Sequence, residues 1–220
     1  MILVTGGTGQ IGSRLLFHLT QNKAYKVRAI YRNTQSLEKI RQLFVKHSDS
    51  GAAQFDTIEW VQADLSNIPA LEKAFEGVTF VFHCAGLISF QPQDFDKLIE
   101  VNVQGTANIV NLSIDFGVKK LCYVSSVATL STLPHTPIDE ENDWNNEDNN
   151  TDYAISKHGA EMEVWRGSQE GLPVVIVNPS VVLGGDFTDR GSGLLYKKVA
   201  DGLRYYPAGA TGFVGVDDVV

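Results

Sequence analysis

Three glycines spaced by threes, Gly6, Gly9 and Gly12, separate an apolar run from an amphipathic one, and no other stretch of the 220 residues narrows the possible folds as much. Ile2 to Val4 lead in through Thr5, and behind the glycines Ile11, Leu15, Leu16 and Leu19 recur at helical spacing. The pattern predicts a strand, a tight turn and a helix. Glycine suits each place for its own reason: one position must turn, one must let an anionic group such as a pyrophosphate reach bare backbone, and one must let helix pack on strand. The first N–H groups of such a helix lack partners within it and point at an anion.

The rest of the chain alternates in the same manner. Lys26 to Tyr31 reads as a strand ending in the turn residues Arg32-Asn33-Thr34. A helix from about Gln35 to His47, a loop, and a strand from Thr57 to Gln62 follow, the last running into Ala63-Asp64-Leu65. Ser66 or Asn67 is placed to cap the next helix, with Pro69 in its first turn. Val78 to His83 is almost wholly apolar, as a strand covered on both faces should be, and ends in His83-Cys84-Ala85-Gly86. A long helix is expected from Phe95 to Phe116, a fifth strand from Leu121 to Val124 before Ser125-Ser126, and a sixth from Leu172 to Val177.

Composition excludes several classes. With 43% hydrophobic residues the chain has enough apolar surface for a full core, and one domain is the default at this length. Cys84 and Cys122 both lie in or just after expected strands, which argues for reduced, buried thiols. No apolar run reaches membrane-spanning length and no basic leader precedes the first strand, so a cytoplasmic protein without a membrane role is expected. A formal charge of −8 argues against a nucleic-acid partner. Most of that charge is local: Asp139, Glu140, Glu141, Asp143, Glu147, Asp148 and Asp152 carry it without an intervening base, as a solvated surface loop would.

Two further features bear on chemistry. From Ser13 to Leu37 there is no acid at all, although an acid about 20 residues past the glycines is what usually hydrogen-bonds a cofactor ribose. Arg32 stands there instead, where a guanidinium clamps a 2′-phosphate or simply faces solvent at a strand end. Tyr153 and Lys157 lie one helical turn apart, which puts a phenol beside an ammonium group able to stabilise its anion. No second ligand at metal spacing accompanies His83, which reads as a structural residue.

Taken in order, the glycine turn, Asp64-Leu65, His83-Cys84-Ala85, Asn102-Val103-Gln104-Gly105-Thr106, Ser125-Ser126, Tyr153 to Lys157 and Asn178-Pro179-Ser180-Val181-Val182-Leu183-Gly184 resemble the motifs of the extended short-chain dehydrogenase/reductases, the NAD-dependent epimerase/dehydratase-like branch. Within it the resemblance is nearest to dihydroflavonol-4-reductase-like and 3β-hydroxysteroid-dehydrogenase-like members. It implies an α/β fold, a Rossmann-type doubly wound parallel sheet over residues 1–180, and the start of a small, partly missing substrate lobe over 181–220. Asp217-Asp218-Val219-Val220 falls within a family segment that opens a helix, and members generally continue past it.

The resemblance further implies a catalytic set of Ser126, Tyr153, Lys157 and Asn102. It implies cofactor contacts from Gly6, Gly9, Gln10, Ile11 and Gly12, from Arg32, from Asp64 and Leu65 at the adenine, from Cys84, Ala85 and Gly86, from Val124, from Tyr153 and Lys157, and from Pro179 and Val182. Asn178 stands where arginine is commoner. NADP(H) is the expected cofactor, with NAD(H) possible, and a small-molecule carbonyl or alcohol the expected substrate. Tyr205, Tyr206, Pro207, Gly212 and Phe213 are expected to face it. A homodimer through the Phe95–Phe116 helix and the Tyr153 helix is also implied. Two other readings stay open: an NAD-dependent nucleotide-sugar epimerase or dehydratase, and a non-catalytic NADP sensor or scaffold.

Overall fold

A computed structural model describes residues 1–131, 137–187, 191–202, 205 and 211–220. Six strands, β1 (Ile2–Thr5), β2 (Val27–Tyr31), β3 (Glu59–Gln62), β4 (Phe80–His83), β5 (Lys120–Val124) and β6 (Val174–Val177), form one parallel sheet in the order β3-β2-β1-β4-β5-β6. Because β1 pairs with β2 on one side and β4 on the other, the chain reverses direction across the sheet at β1, which opens a crevice beyond the carboxyl ends of these strands. Helices cover both faces: α1 (Gln10–Leu19), α2 (Thr34–His47) and α3 (Gly51–Asp56) on one, α4 (Ile68–Phe75), α5 (Phe95–Leu98), α6 (Gly105–Asp115) and α7 (Asp152–Gln169) on the other. Neighbouring Leu3 and Val4 show the double winding directly. Leu3 belongs to the core cluster that holds Ile109, Leu121 and Val164, and Val4 to the one that holds Leu16, Ile40 and Phe44, as the two-residue period of a strand requires.

Local chemistry explains the element ends. Asn33 caps α2 by accepting from the Gln35 N–H at 2.9 Å, and Thr151 caps α7 by accepting from Ala154 N–H at 3.1 Å. Of the two expected caps for α4, Asn67 is the one used, accepting from Ala70 N–H at 3.2 Å, while Ser66 turns back to Asp64. The base in β2, Arg28, is buried and donates to the carbonyls of Ala74 (2.7 Å) and Glu76 (2.8 Å), closing the C-terminus of α4.

Two expectations change. The loop expected after α2 contains α3, six residues too short to show a period; Phe55 anchors it edge-on to Phe44 at 5.8 Å, and Gly51 lies so near the Phe44 carbonyl that a Cβ would stand 1.9 Å from it. The single helix expected from Phe95 to Phe116 is continuous to Asp115 but widens into π-helix over Ile99–Gln104, a wider turn that carries Asn102 into the interior. Strands also begin later than expected, at Glu59, Phe80 and Val174.

After β6 the chain leaves the main sheet. β7 (Val181–Leu183) pairs in parallel with β8 (Phe213–Gly215), α8 (Gly193–Ala200) lies between them in sequence, and α9 (Val216–Val219) follows, forming the helix expected of its segment. This region is tied to the first helices. Asp217 meets Arg14 of α1, Asp186 accepts from His47 of α2 at 2.6 Å, and Phe187 is buried in the core on the α2 side. Tyr205 and Phe213 are exposed; Tyr206 and Pro207 lie outside the described residues. The acidic loop is largely exposed, and among the described residues no helix is long and apolar enough to cross a membrane.

Candidate active site

The glycine turn is the floor of the site. Gly6 has φ +67°, a conformation that favours glycine, and its missing side chain lets the backbone of Ala85 approach: a Cβ there would stand 2.6 Å from the Ala85 nitrogen. A Cβ on Gly12 would lie 2.2 Å from the Gly6 carbonyl oxygen, so this residue sets how closely α1 meets the turn. Gly9 is different. Its Cβ would meet only the Gly6 oxygen, at 3.2 Å, which leaves the outer side of the turn open at the start of α1. That is the space beside a helix start that an anionic group requires. Gln10 opens α1, followed by Ile11, and the Gln10 side chain reaches across to donate to the Val182 carbonyl at 3.3 Å, joining β7 to the turn.

Thr5 links β1 to β4. Its hydroxyl is 2.6 Å from His83 Nδ1 and accepts from Ala85 N–H at 3.2 Å. His83 is fully buried, with Thr106 3.0 Å from Nε2 and the Tyr123 ring stacked at 5.4 Å. Burial, aided by the nearby Lys157 charge, lowers its pKa to about 3, so it stands as a neutral structural hub. The two thiols are free and partly buried, and burial raises Cys84 to about 12, which removes thiolate chemistry at neutral pH. Ala85 and Gly86 line the chain passing the turn, and a Cβ on Gly86 would approach Asn102 Oδ1 at 3.4 Å.

At the far end of the crevice Arg32, Gln62, Ala63, Asp64 and Asn67 line a cleft of about 400 Å³. Arg32 and Asp64 are both exposed and stand 3.9 Å apart, and Asp64 also accepts from Ser66 N–H at 3.1 Å. Leu65, expected beside an adenine, turns inward: it is buried in the core, and Gly105 is small because a Cβ there would lie 2.8 Å from Leu65 Cδ1. Its carbonyl accepts from Asn108 at 2.8 Å.

The polar groups with chemical potential gather where β4 and β5 end against α7. Ser126 begins a short 3-10 turn, Val127–Thr129, and its Oγ accepts from Ala128 N–H at 3.2 Å, which leaves the hydroxyl proton free to donate elsewhere. Burial pushes the Tyr153 phenol up, with a hydrogen bond to Ser126 pulling the other way, and the Tyr153 ring meets Phe90 edge-on at 5.7 Å. Lys157 is buried on the same helix and donates to Tyr123 Oη at 2.5 Å and to the Val124 carbonyl at 2.9 Å. Burial lowers its pKa to about 7, and Glu161 opposes that shift. Asn102 is a clamp: its Oδ1 accepts from Leu87 N–H at 2.7 Å, and its Nδ2 donates to the Leu87 carbonyl at 3.0 Å and to Ser156 Oγ at 2.9 Å. The loop after β4 is thereby fastened to α7. Pro179 accepts from Val127 N–H at 3.0 Å, holding the exit of β6 to the same turn.

The structure therefore pairs Ser126 with Tyr153, seats Lys157 one turn along the same helix against Tyr123 and Val124, uses Asn102 to tie the Leu87 loop to Ser156, and puts Arg32 and Asp64 in a separate cleft. It also reveals what the motifs did not name. Tyr123 is the partner of Lys157, and Glu161 is buried below the Ser126 turn. The spacing of Tyr153, Lys157 and Glu161, each one turn further along α7, was a readable signal for the latter. Among the described residues no group of three or more His, Cys, Asp and Glu is placed to hold a metal ion.

Residues 2–207 match the model of the NAD dependent epimerase/dehydratase family. The chain is 30% identical over 220 residues to sterol demethylase protein B of Methylococcus capsulatus, covering 99% of this chain and 63% of that protein. It is 33% identical over 182 residues to a putative dihydroflavonol 4-reductase of Synechocystis, covering 82% of this chain and 49% of that protein. The chain thus spans between about half and two thirds of the length of these two relatives. Among solved structures, the terminal R domain from the myxalamid PKS-NRPS biosynthetic pathway superposes with a TM-score of 0.84 at 27% identity, covering 99% of this chain and 59% of that one. Sheet order, glycine turn and match together place the chain in the NAD dependent epimerase/dehydratase family, the extended branch of the short-chain dehydrogenase/reductases.

Proposed function

We propose that the protein is a cytoplasmic NADP(H)-dependent oxidoreductase that reduces a carbonyl of a small molecule, or oxidises the matching secondary alcohol, with Ser126, Tyr153 and Lys157 at the reacting centre. The observation that carries this reading is the hydrogen bond between Tyr153 and Ser126 where β5 ends, with the buried ammonium of Lys157 one turn further along the same helix. Residues 1–180 hold the dinucleotide and 181–220 begin the substrate lobe.

The residues present fit a dinucleotide. At Gly9 the turn leaves space beside its backbone for a pyrophosphate, and Arg32 borders a cleft with room for a nucleotide end. When bound, the nicotinamide supplies the hydride that reaches the carbonyl carbon. The chain does the remainder. Tyr153, kept as a phenol by burial, donates its proton to the carbonyl oxygen as charge develops there. Ser126 turns its free hydroxyl proton to the same oxygen and orients it. Lys157, held by the Val124 carbonyl and Tyr123, keeps positive charge near the phenol and favours the phenolate left after transfer. Asn102 fixes the Leu87 loop against α7, so the spacing between the turn and Tyr153 is preserved.

Arg32 supports NADP(H), because a guanidinium matches a 2′-phosphate and no acid stands at the end of β2. The dihydroflavonol 4-reductase among the relatives supports a reductase. Exposed Ile155, Met162 and Trp165 on α7 support a homodimer through that helix. Incubating the protein with NADPH and a panel of aldehydes and ketones, while following NADPH loss, tests the reading. Consumption with at least one carbonyl is expected. If NAD stays bound through purification and a nucleotide sugar is interconverted without net cofactor consumption, the epimerase reading replaces it.

A further inference from the structure

Glu161 is a buried carboxylate in an unusual setting. Its Oε2 accepts three hydrogen bonds, from Ser125 Oγ at 2.5 Å, Thr129 Oγ1 at 2.9 Å and Asn178 Nδ2 at 3.0 Å, and its Oε1 faces Trp165 Nε1 at 3.4 Å. All four partners are neutral. Among the described residues no Lys, Arg or His nitrogen forms an ion pair with it.

The three donors on Oε2 come from the two segments that frame Ser126. Ser125 precedes it and Thr129 closes its turn, with Thr129 Oγ1 also 2.9 Å from the Ser126 carbonyl. Asn178 leaves β6, and its Nδ2 is 2.9 Å from Thr129 Oγ1 and 3.3 Å from the Ser126 carbonyl. One oxygen thus fixes the turn that aims the Ser126 hydroxyl. A buried charge met only by neutral donors keeps its field, which acts most strongly on the nearest buried cation. That cation is Lys157, one turn earlier on α7. An arginine at position 178 would have cancelled the charge, and Asn178 does not.

We propose that Glu161 is a positioning residue for the reaction, fixing the Ser126 turn through hydrogen bonds and holding Lys157 in its ammonium form through charge. The proposal rests on the oxidoreductase reading only for its kinetic consequence. The charged and titratable groups concerned are Lys157 and His158 on α7, Tyr123 on β5, and His83 and Cys84 at the end of β4, the last two facing Lys157. The segment from β6 contributes only the neutral amide.

The direct test follows the Lys157 ammonium by NMR on protein labelled with 15N-lysine, without cofactor, through a pH titration of wild type, Glu161→Gln and Glu161→Asp. In Glu161→Gln the Lys157 midpoint should move down by at least one pH unit, a tenfold loss of ammonium at a given pH in the titration range, and Glu161→Asp should restore most of it. In turnover, the alkaline limb of the rate profile should move in the same direction. A midpoint that stays in place in Glu161→Gln while the thermal melt falls would show a packing role alone and overturn the proposal. Should Glu161→Gln fail to fold, Asn178→Arg keeps the carboxylate and cancels its charge; the same downward shift is expected, and no shift overturns the proposal. Inactivity of wild type towards every carbonyl would sink the oxidoreductase reading but leave the Lys157 titration intact as a test.

Discussion

The turn from Gly6 to Gly12 and the turn from Ser125 to Thr129 lie along the same edge of the sheet, yet they are made differently. The first is backbone against backbone: Gly6 against Ala85, Gly12 against Gly6, with no side chain in the contact. The second is a web of side chains, in which Glu161, Asn178, Thr129 and Ser125 meet around one oxygen and Lys157 leans on Tyr123 next door. A backbone-built turn has no titrating group and admits no larger residue where backbone meets backbone, at Gly6 and Gly12. A side-chain-built turn tolerates changes of size better but responds to proton concentration, because its geometry depends on charge.

The contrast is broken most severely at Gly12. A side chain there collides with backbone that has nowhere to go, so Gly12→Val should cost about 3 kcal/mol or more in urea unfolding. Gly9→Ala sharpens the point: its Cβ meets only one oxygen, so stability should change by less than about 1 kcal/mol, and the loss should appear instead in dinucleotide affinity. Equal stability losses at the two positions would contradict the distinction.

Acid should act through His83, which lies between the two turns, bonded to Thr5 on one side and stacked on Tyr123 on the other. His83 titrates at about 3 in the fold and near 6.5 when exposed, so between those values the unfolded chain binds more protons than the folded one. Its contribution is complete above pH 6.5 and is lost as pH falls towards 3, by on the order of 1 kcal/mol for each pH unit. Urea midpoints of wild type measured from pH 7 to pH 4 should fall accordingly. His83→Asn should begin less stable and fall less steeply.

Smaller effects belong to the exposed regions. Arg32→Ala should weaken NADPH by about tenfold or more and NADH far less, read by fluorescence titration of each. Similar losses for both would remove the NADP preference. Asp217→Asn, at an exposed pair with Arg14, should change stability by no more than about 1 kcal/mol.

The same contrast explains what could be read from the sequence. Six strands and the glycine turn were legible, because apolar runs and glycine spacing reflect local backbone geometry; that the sheet is parallel came from the family resemblance, and the strand order from the structure. That Ser66 or Asn67 would cap α4, and that His83 is structural, follow from such local signals; which of the two caps is used does not. The Glu161 web was not legible as a unit: Ser125, Thr129 and Asn178 are ordinary polar residues until the fold brings β5, α7 and β6 together. The packing of Leu65 against Gly105 was not legible either, since Asp-Leu at a strand end does not reveal which side chain Gly105 leaves room for. The π-helical stretch around Asn102 also left no period in the sequence, because apolar spacing on either side is that of an α-helix.

The central claim is that the phenol of Tyr153 does chemistry beside a dinucleotide held elsewhere by backbone. Measuring NADPH affinity and turnover of Tyr153→Phe side by side tests it most directly. Affinity should stay within about threefold of wild type while turnover falls by roughly 10²–10⁴, the usual contribution of a positioned acid. Turnover equal to wild type would contradict the account.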